Sequence, residues 1–201
     1  MFKKTIVLIL FTSLFMSYQL SAQDDFSLGP RVGVNFSNVS NVDDSKSLTG
    51  GVIGLTSTYS INETVGLTLD GLYSREGYKS GINDIKFAYL QFPLYFDVFF
   101  GDLGDRFRPK IYAGVVPGFL LDVNVNDEDA DNDQFDAVNM ALSGGFGFNY
   151  RTGSRIWLNT DLRAYQGLND IRDGDVPEGD KVMHNNIQLS VGLAYGLSRW
   201  E

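Results

Sequence analysis

The chain has 201 residues, 25 acidic against 16 basic side chains, a formal net charge of −9 and no cysteine. That balance argues against nucleic acid as a partner, because phosphate recognition needs clustered lysine and arginine. The missing thiols exclude a disulfide framework, a thiolate metal site and a lipid-modified cysteine, while 22 glycines, 15 phenylalanines and 10 tyrosines favour closely packed strands.

In chain order, residues 1–22 read as a cleaved secretory signal peptide. Lys3-Lys4 precede an apolar run from Thr5 to Met16, and Ser21-Ala22 precede Gln23. The run is short for a transmembrane anchor, and Asp24-Asp25 follow at once. The mature domain is then 23–201, in which 14 basic residues face 25 acidic ones, a net charge of −11. No later stretch of about 18 apolar residues occurs, so a membrane-bound mature chain would cross as a β-barrel.

Eight segments then alternate with a period of two. The first, Phe26 to Phe36, sets Phe26, Leu28, Val32, Val34 and Phe36 against Ser27, Gly29, Arg31, Gly33 and Asn35. Thr49–Ile61, Val65–Ser74 and Ala88–Phe100 repeat the pattern, the last being the most apolar. Arg108–Val123, Asn139–Tyr150 and Ile156–Tyr165 continue it. Asn186–Leu197 is its cleanest instance, with Ile187, Leu189, Val191, Leu193, Tyr195 and Leu197 on one face and only small or weakly polar residues opposite. Large apolar residues on one side and small or polar ones on the other suit a strand between lipid and a narrow barrel interior. Pro93 and Pro117 cannot donate to a ladder, so each requires a bulge or a local break.

The links alternate in length. Asn62–Thr64, Gly101–Phe107 and Arg151–Gly153 are short; Ser37–Leu48, Glu76–Asp84, Asn124–Val138 and Gly167–Met183 are mostly longer. Short periplasmic turns and longer extracellular loops are the habit of outer-membrane barrels. Aromatics gather at both ends of the segments: Phe26, Tyr59, Phe100, Tyr150 and Trp200 toward the inner rim, Phe36, Tyr73 and Phe119 toward the outer. The expected fold is all-β, an eight-stranded antiparallel up-and-down transmembrane β-barrel following a cleaved signal peptide.

The inward faces carry Arg31, Asp70, Tyr89, Gln91, Tyr95, Asp97, Lys110, Asp122, Asp161 and Arg163. Eight strands leave room only for side chains, so this set reads as a paired ionic network filling the lumen rather than as a solute channel. Asp129, Asp131 and Asp133 alternate as a calcium loop would. Gln134 stands where that loop needs glycine, however, and Met140 where it needs a bidentate glutamate. The acidic stretch therefore reads as a solvated loop, with these aspartates the weak candidates for a metal. His184 is the only histidine; Ser190, Asp180 and Glu178 lie near it in sequence, yet a surface position at the end of a loop is the plainer expectation. No catalytic site and no cofactor is expected.

The final strand, through Leu193, Tyr195, Leu197 and Trp200, resembles the C-terminal signal read by the barrel-assembly machinery, although Ser198-Arg199 and the last residue, Glu201, interrupt the pattern. The chain as a whole resembles the PorT-like outer-membrane β-barrel family. The resemblance rests on the Ser-Ala-Gln signal end, on Gly29-Pro30-Arg31-Val32-Gly33-Val34-Asn35 and on Gly66-Leu67-Thr68-Leu69-Asp70-Gly71-Leu72-Tyr73-Ser74. Ala88-Tyr89-Leu90-Gln91-Phe92-Pro93-Leu94 is similar to that family's Tyr-Leu-x-Ile-Pro-Leu pattern.

It implies an integral outer-membrane barrel without common catalytic residues, and one branch of the family assists protein secretion. The expected role is structural or interactive, with acidic extracellular loops; the alternative is an accessory component of a secretion machine. A lipid-modifying barrel enzyme and a soluble lipocalin-like binder stand behind these. Expected partners are outer-membrane lipids, the assembly machinery during biogenesis, and a secretion-system or surface protein, but no nucleic acid.

Overall fold

The computed structural model describes residues 26–40, 45–81, 83–102, 105–126, 128–130, 135–171 and 182–197. Signal-peptide residues 1–22, together with Asp131, Asp133, Glu178, Asp180 and Trp200, lie outside them. The strands are β1 (Phe26–Val39), β2 (Lys46–Ser60), β3 (Val65–Ser80), β4 (Asn83–Gln91), β5 (Leu94–Phe99), β6 (Phe107–Val125), β7 (Glu128–Asp129), β8 (Val138–Arg151), β9 (Ile156–Gly167) and β10 (His184–Gly196).

All pairings are antiparallel between neighbours in sequence, and β10 returns to β1 in register from Ser27↔Gly196 to Val39↔His184. β4 and β5 are two halves of one stave, both pairing β3 on one side and β6 on the other. The two-residue β7 only flanks the end of β6. What remains is a closed ring of eight staves, which leaves no sheet edge in lipid.

The break between β4 and β5 falls at Phe92-Pro93, opposite Pro117. Phe92 N donates to the Pro117 carbonyl at 2.9 Å and Asp70 N to the Pro93 carbonyl at 3.0 Å. In extended backbone a residue's N and O point the same way, so the missing N–H of Pro117 faces the interruption. The two prolines thus share one local defect, and the ring closes around it.

Alternation sorts the side chains. Val32, Ile53, Leu142, Phe146 and Leu193 are half-exposed on the outside, while the large inward residues are buried. This outward placement excludes the lipocalin-like arrangement, in which the aliphatics would fill the interior. On β1 the apolar face runs from Phe26 to Phe36, roughly 33 Å along the strand; at the usual tilt that gives a band about 25 Å tall. Phe26 and Tyr59 stand side by side at its inner rim, Phe36 and Phe119 at its outer rim. Val191, between Val32 and Thr160, lies near mid-height. Val191→Arg is therefore expected to destabilise the folded barrel by about 2–4 kcal/mol, measured by urea unfolding in lipid vesicles. A loss below about 1 kcal/mol would mean that this face does not meet lipid at mid-depth.

Outside the band the strands continue further than their hydropathy suggests. β3 runs on to Ser80 and β4 begins at Asn83, so the expected Glu76–Asp84 loop is largely strand, turning at Gly81 with φ of 61°. The outer ends of β1, β2 and β6 extend likewise. Their outward residues, among them Asn38, Arg75, Lys79 and Asn124, are polar because they stand above the hydrocarbon.

Candidate functional site

The interior is built in layers, and the middle one is ionic. Arg31 from β1 and Arg163 from β9 reach across to Asp70 of β3 and Asp161 of β9. Arg31 Nη1 lies 2.5 Å from Asp161 Oδ2, and Arg163 Nη1 lies 2.7 Å from Asp70 Oδ2. Arg31 Nε is 3.6 Å from Asp70, and Lys110 Nζ of β6 is 3.3 Å from both Asp97 and Asp161. Three cations thus interleave with three carboxylates, every member at most 2 % exposed. Charges withdrawn this far from water are tolerable only when paired and hydrogen-bonded. The remaining bonds come from small hydroxyls: Arg31 donates to Ser190 Oγ (2.9 Å) and Thr56 Oγ1 (3.1 Å), and Thr68 Oγ1 donates to Asp97 at 2.6 Å.

Room for these side chains comes from inward glycines in the neighbouring strands. Asp161 lies beside Gly147, and Arg163 beside Gly145. A Cβ on Gly147 would stand 2.6 Å from Asp161 Oδ1, and one on Gly145 would stand 2.9 Å from the Tyr112 hydroxyl. Just outward, Tyr95 and Tyr112 meet edge-on at 5.1 Å, the Arg163 guanidinium lies 4.7 Å from the Tyr95 ring, and Tyr165 donates to Gln188. The cross-section is filled with side chains.

Both mouths are closed as well. At the short-turn end Arg108 lies 4.4 Å over the Phe99 ring and donates to the Glu63 carbonyl of the β2–β3 turn at 2.5 Å, and Phe99, Arg108 and Trp157 are all buried. At the other end Val39, Tyr78, Phe87, Tyr89, Val123, Ile171 and Val182 form an apolar cap. The Phe87 ring meets Phe135 edge-on at 5.1 Å, and Ile171 N donates to the Val182 carbonyl at 3.0 Å.

Beneath the cap sits an acid–imidazole pair. Glu76 Oε1 accepts from Ser74 Oγ (2.8 Å), Gln91 Nε2 (2.8 Å) and Asn186 Nδ2 (3.2 Å), and its Oε2 is 3.9 Å from His184 Nε2. Phe87 and Tyr89 pack edge-on against the imidazole. The adjoining cavity of about 10 Å³ is about one water in size.

Arg31, Asp70, Gln91, Asp97, Lys110, Asp161 and Arg163 all stand inside, as do Tyr89 and Tyr95. Asp122 does not. Strand β6 carries an extra residue where Ala88 pairs Asp122 but Tyr89 pairs Leu120, so Leu121 is bulged and the alternation reverses, turning Asp122 outward. His184 is likewise not a surface residue: β10 begins with it, its even-numbered positions face inward, and it is 3 % exposed.

Ser190 lies six residues along the same strand, roughly 20 Å away, and is engaged by Arg31, so the two form no nucleophile–base pair. The expected loop hides Glu76; the signal for it is the continued alternation Ser74, Glu76, Tyr78 opposite Tyr89, Phe87 and Ile85. Arg108, Phe99 and Trp157 come from three different staves, so no local pattern in the sequence marks them together.

Asp129 pairs through its backbone with Asn124 in the β6–β7 flank, and among the described residues no three His, Cys, Asp or Glu side chains converge as metal ligands. Leu193, Tyr195 and Leu197 lie on the outer face of the last strand at its short-turn end, where Arg155 donates to the Tyr195 hydroxyl at 3.3 Å.

The family model of the outer membrane protein beta-barrel domain matches residues 18–173. Neisserial surface protein A is similar in structure, with a TM-score of 0.58 at 17% identity over 85% of this chain and 96% of that one. So is OprG from Pseudomonas aeruginosa, with 0.51 at 18% identity over 86% and 95%. Outer membrane protein W of E. coli gives 0.50 at 15% identity over 90% and 100%. No curated protein matches the sequence.

Proposed function

The chain belongs to the outer membrane protein beta-barrel domain family, and from that premise we propose that it is a solid, non-conducting barrel whose role is structural or interactive. It is a small integral protein of the outer membrane. The observation that carries the proposal is the layered interior: a balanced ionic lattice between the Arg108–Phe99 closure and the Phe87-centred cap. A water-filled path needs a continuous polar bore, and eight strands already leave little space for one. With the lumen given over to packing, function falls to the outer rim and the outer face.

The Leu193–Tyr195–Leu197 face of β10 supports recognition by the barrel-assembly machinery during biogenesis, after export by the signal peptide proposed for residues 1–22. Within the family, the Gly29–Asn35 and Ala88–Leu94 motifs favour a PorT-like identity, and with it the alternative of an accessory part in a secretion machine. That alternative predicts a protein partner retained through purification in mild detergent.

The test is electrical. Reconstituted in a planar bilayer, the protein is expected to leave the current at the lipid baseline across ±100 mV, about 2.3 kcal/mol per elementary charge. Steady, protein-dependent openings would overturn the non-conducting reading.

A further inference from the structure

His184 stands where the apolar cap meets the polar interior. Phe87 and Tyr89 of β4 pack edge-on against its ring at 5.5 and 6.0 Å, and Val39 of β1 pairs with it. Its other side faces the cavity of about 10 Å³, which Glu76, Asn139, Tyr165 and Asn186 also line. His184 is 3 % exposed, yet neither ring nitrogen finds a hydrogen-bond partner among the described residues. Its Nε2 faces Glu76 Oε2 at 3.9 Å, beyond hydrogen-bond reach.

Protonation changes what this ring requires. A neutral imidazole carries one N–H; the imidazolium carries two and a full charge. The cavity has room for one water, so at most one of the two donors is served there. Glu76 pulls the other way, but its Oε1 is already occupied by Ser74, Gln91 and Asn186. Burial is the larger effect, and it holds the imidazole below its ordinary pKa despite the carboxylate.

The other ionisable groups around the ring are Tyr89 and Tyr165, from β4 and β9. Asp136 and Asp170 lie in the segments that the cap joins, where they accept from Val138 N and Val182 N. Histidine is the side-chain type that ordinarily changes charge between about pH 7.5 and about pH 5.5.

We propose that protonation of His184 opens the outer cap, so that the outer mouth is sealed at neutral pH and loosened by acid. With the cap open, the imidazole meets water and takes up its proton near its ordinary value of about 6.5; with the cap closed, it does so only at lower pH. Well above that value neither form is protonated, and His184 leaves the equilibrium alone. As the pH falls through it, the open form gains a proton that the closed form lacks. The cap then loses stability until the closed form titrates as well. The ionic lattice of Arg31, Asp70, Asp161 and Arg163 lies deeper and takes no part, so the ring of strands stays closed.

The full chain, purified in detergent with a tag free of histidine, carries a single imidazole. Its NMR titration is expected to have a midpoint below about 6.5. Hydrogen exchange is then followed from pH 7.5 to pH 5.5, with protection taken relative to the intrinsic rate at each pH. Protection of the Ala130, Asp136 and Ile171 amides is expected to fall about threefold to tenfold, tenfold being roughly the ceiling for one proton with an open-state pKa near 6.5. Val32, Leu162 and Val191 should hold theirs. His184→Gln is expected to make cap protection independent of pH in this window, whatever its level at pH 7.5. Glu76→Gln should keep the acid loss, because it removes the attraction that opposes it.

Heat-modifiable gel mobility checks that each variant keeps its closed barrel. A wild-type midpoint at or above the ordinary imidazole value would overturn the proposal, as would cap protection that does not change with pH. So would an acid loss that survives in His184→Gln, or one that vanishes in Glu76→Gln and so belongs to the carboxylate. Val32 and Val191 losing protection in step with the cap would make acid act on the whole barrel, and would overturn it too.

Discussion

Arg163→Met is expected to cost the folded barrel about 3–5 kcal/mol, and adding Asp70→Leu in the same chain to restore most of that loss. Arg163 supplies the 2.7 Å contact to Asp70; without it the cation nearest Asp70 is Arg31, its Nε at 3.6 Å. A buried carboxylate left nearly alone has lost its water and gained no adequate partner, which is why breaking one member of a buried pair is so damaging. Removing both members leaves Arg31 with Asp161 and Lys110 with Asp97 and Asp161, a smaller lattice that still balances in charge. Leucine and methionine refill much of the volume, and methionine can occupy the place of the guanidinium over Tyr95.

The double variant should therefore lie within about 1–2 kcal/mol of wild type, because replacing a buried ion pair with apolar residues is often nearly neutral. Reversible urea unfolding in vesicles, followed by tryptophan fluorescence, gives the four free energies of the cycle. A double variant as unstable as the sum of the singles would show that the two groups do not act as a pair.

Most of the ring was legible because strand alternation is a local signal and lipid enforces it. From Ile187 to Leu197 every large apolar residue points outward, and one reversal would expose a polar group to hydrocarbon. The inward placement of Arg31, Asp70, Asp161 and Arg163 follows from the same count, but their partners do not. Arg31 and Asp161 are 130 residues apart in sequence, and only ring closure through β10 brings them together.

Alternation fails wherever the backbone gains a residue. The bulge at Leu121 moves Asp122 from lumen to surface, and nothing in its neighbours' hydropathy marks the change. It also fails where strands leave the membrane, since lipid no longer demands an apolar outer face. Arg75, Lys79 and Lys86 then look like loop residues, and the inward Glu76 and Phe87 between them are overlooked. His184 looks like the end of a loop for the same reason: it begins its strand above the band.

Phe87→Ala is expected to release the outer cap by about 3–5 kcal/mol while leaving the ring beneath it closed. The Phe87 ring touches Tyr78, Tyr89, Phe135 and His184, so its loss removes the centre of the apolar cluster that, among the described residues, joins β3, β4 and β6 to the segments around Phe135, Ile171 and Val182. Among the described residues, backbone bonds of these segments run partly between the segments themselves. Asp136 N donates to the Ile171 carbonyl, Ile171 N to Val182 and Ala130 N to Val123, each at about 3 Å.

The eight staves, by contrast, hold one another through continuous ladders around the whole ring. Free energy lost at the cap should thus appear as local opening rather than global unfolding. Hydrogen exchange reads the difference directly: amides of Ala130, Asp136 and Ile171 should exchange more than a hundredfold faster, since each 1.4 kcal/mol is tenfold, while those of Val32, Leu162 and Val191 keep their wild-type protection. Heat-modifiable mobility on a detergent gel should be unchanged. If mid-barrel amides lost protection in step with the cap, the two would be one cooperative unit, and the outer mouth could not open without unzipping the barrel.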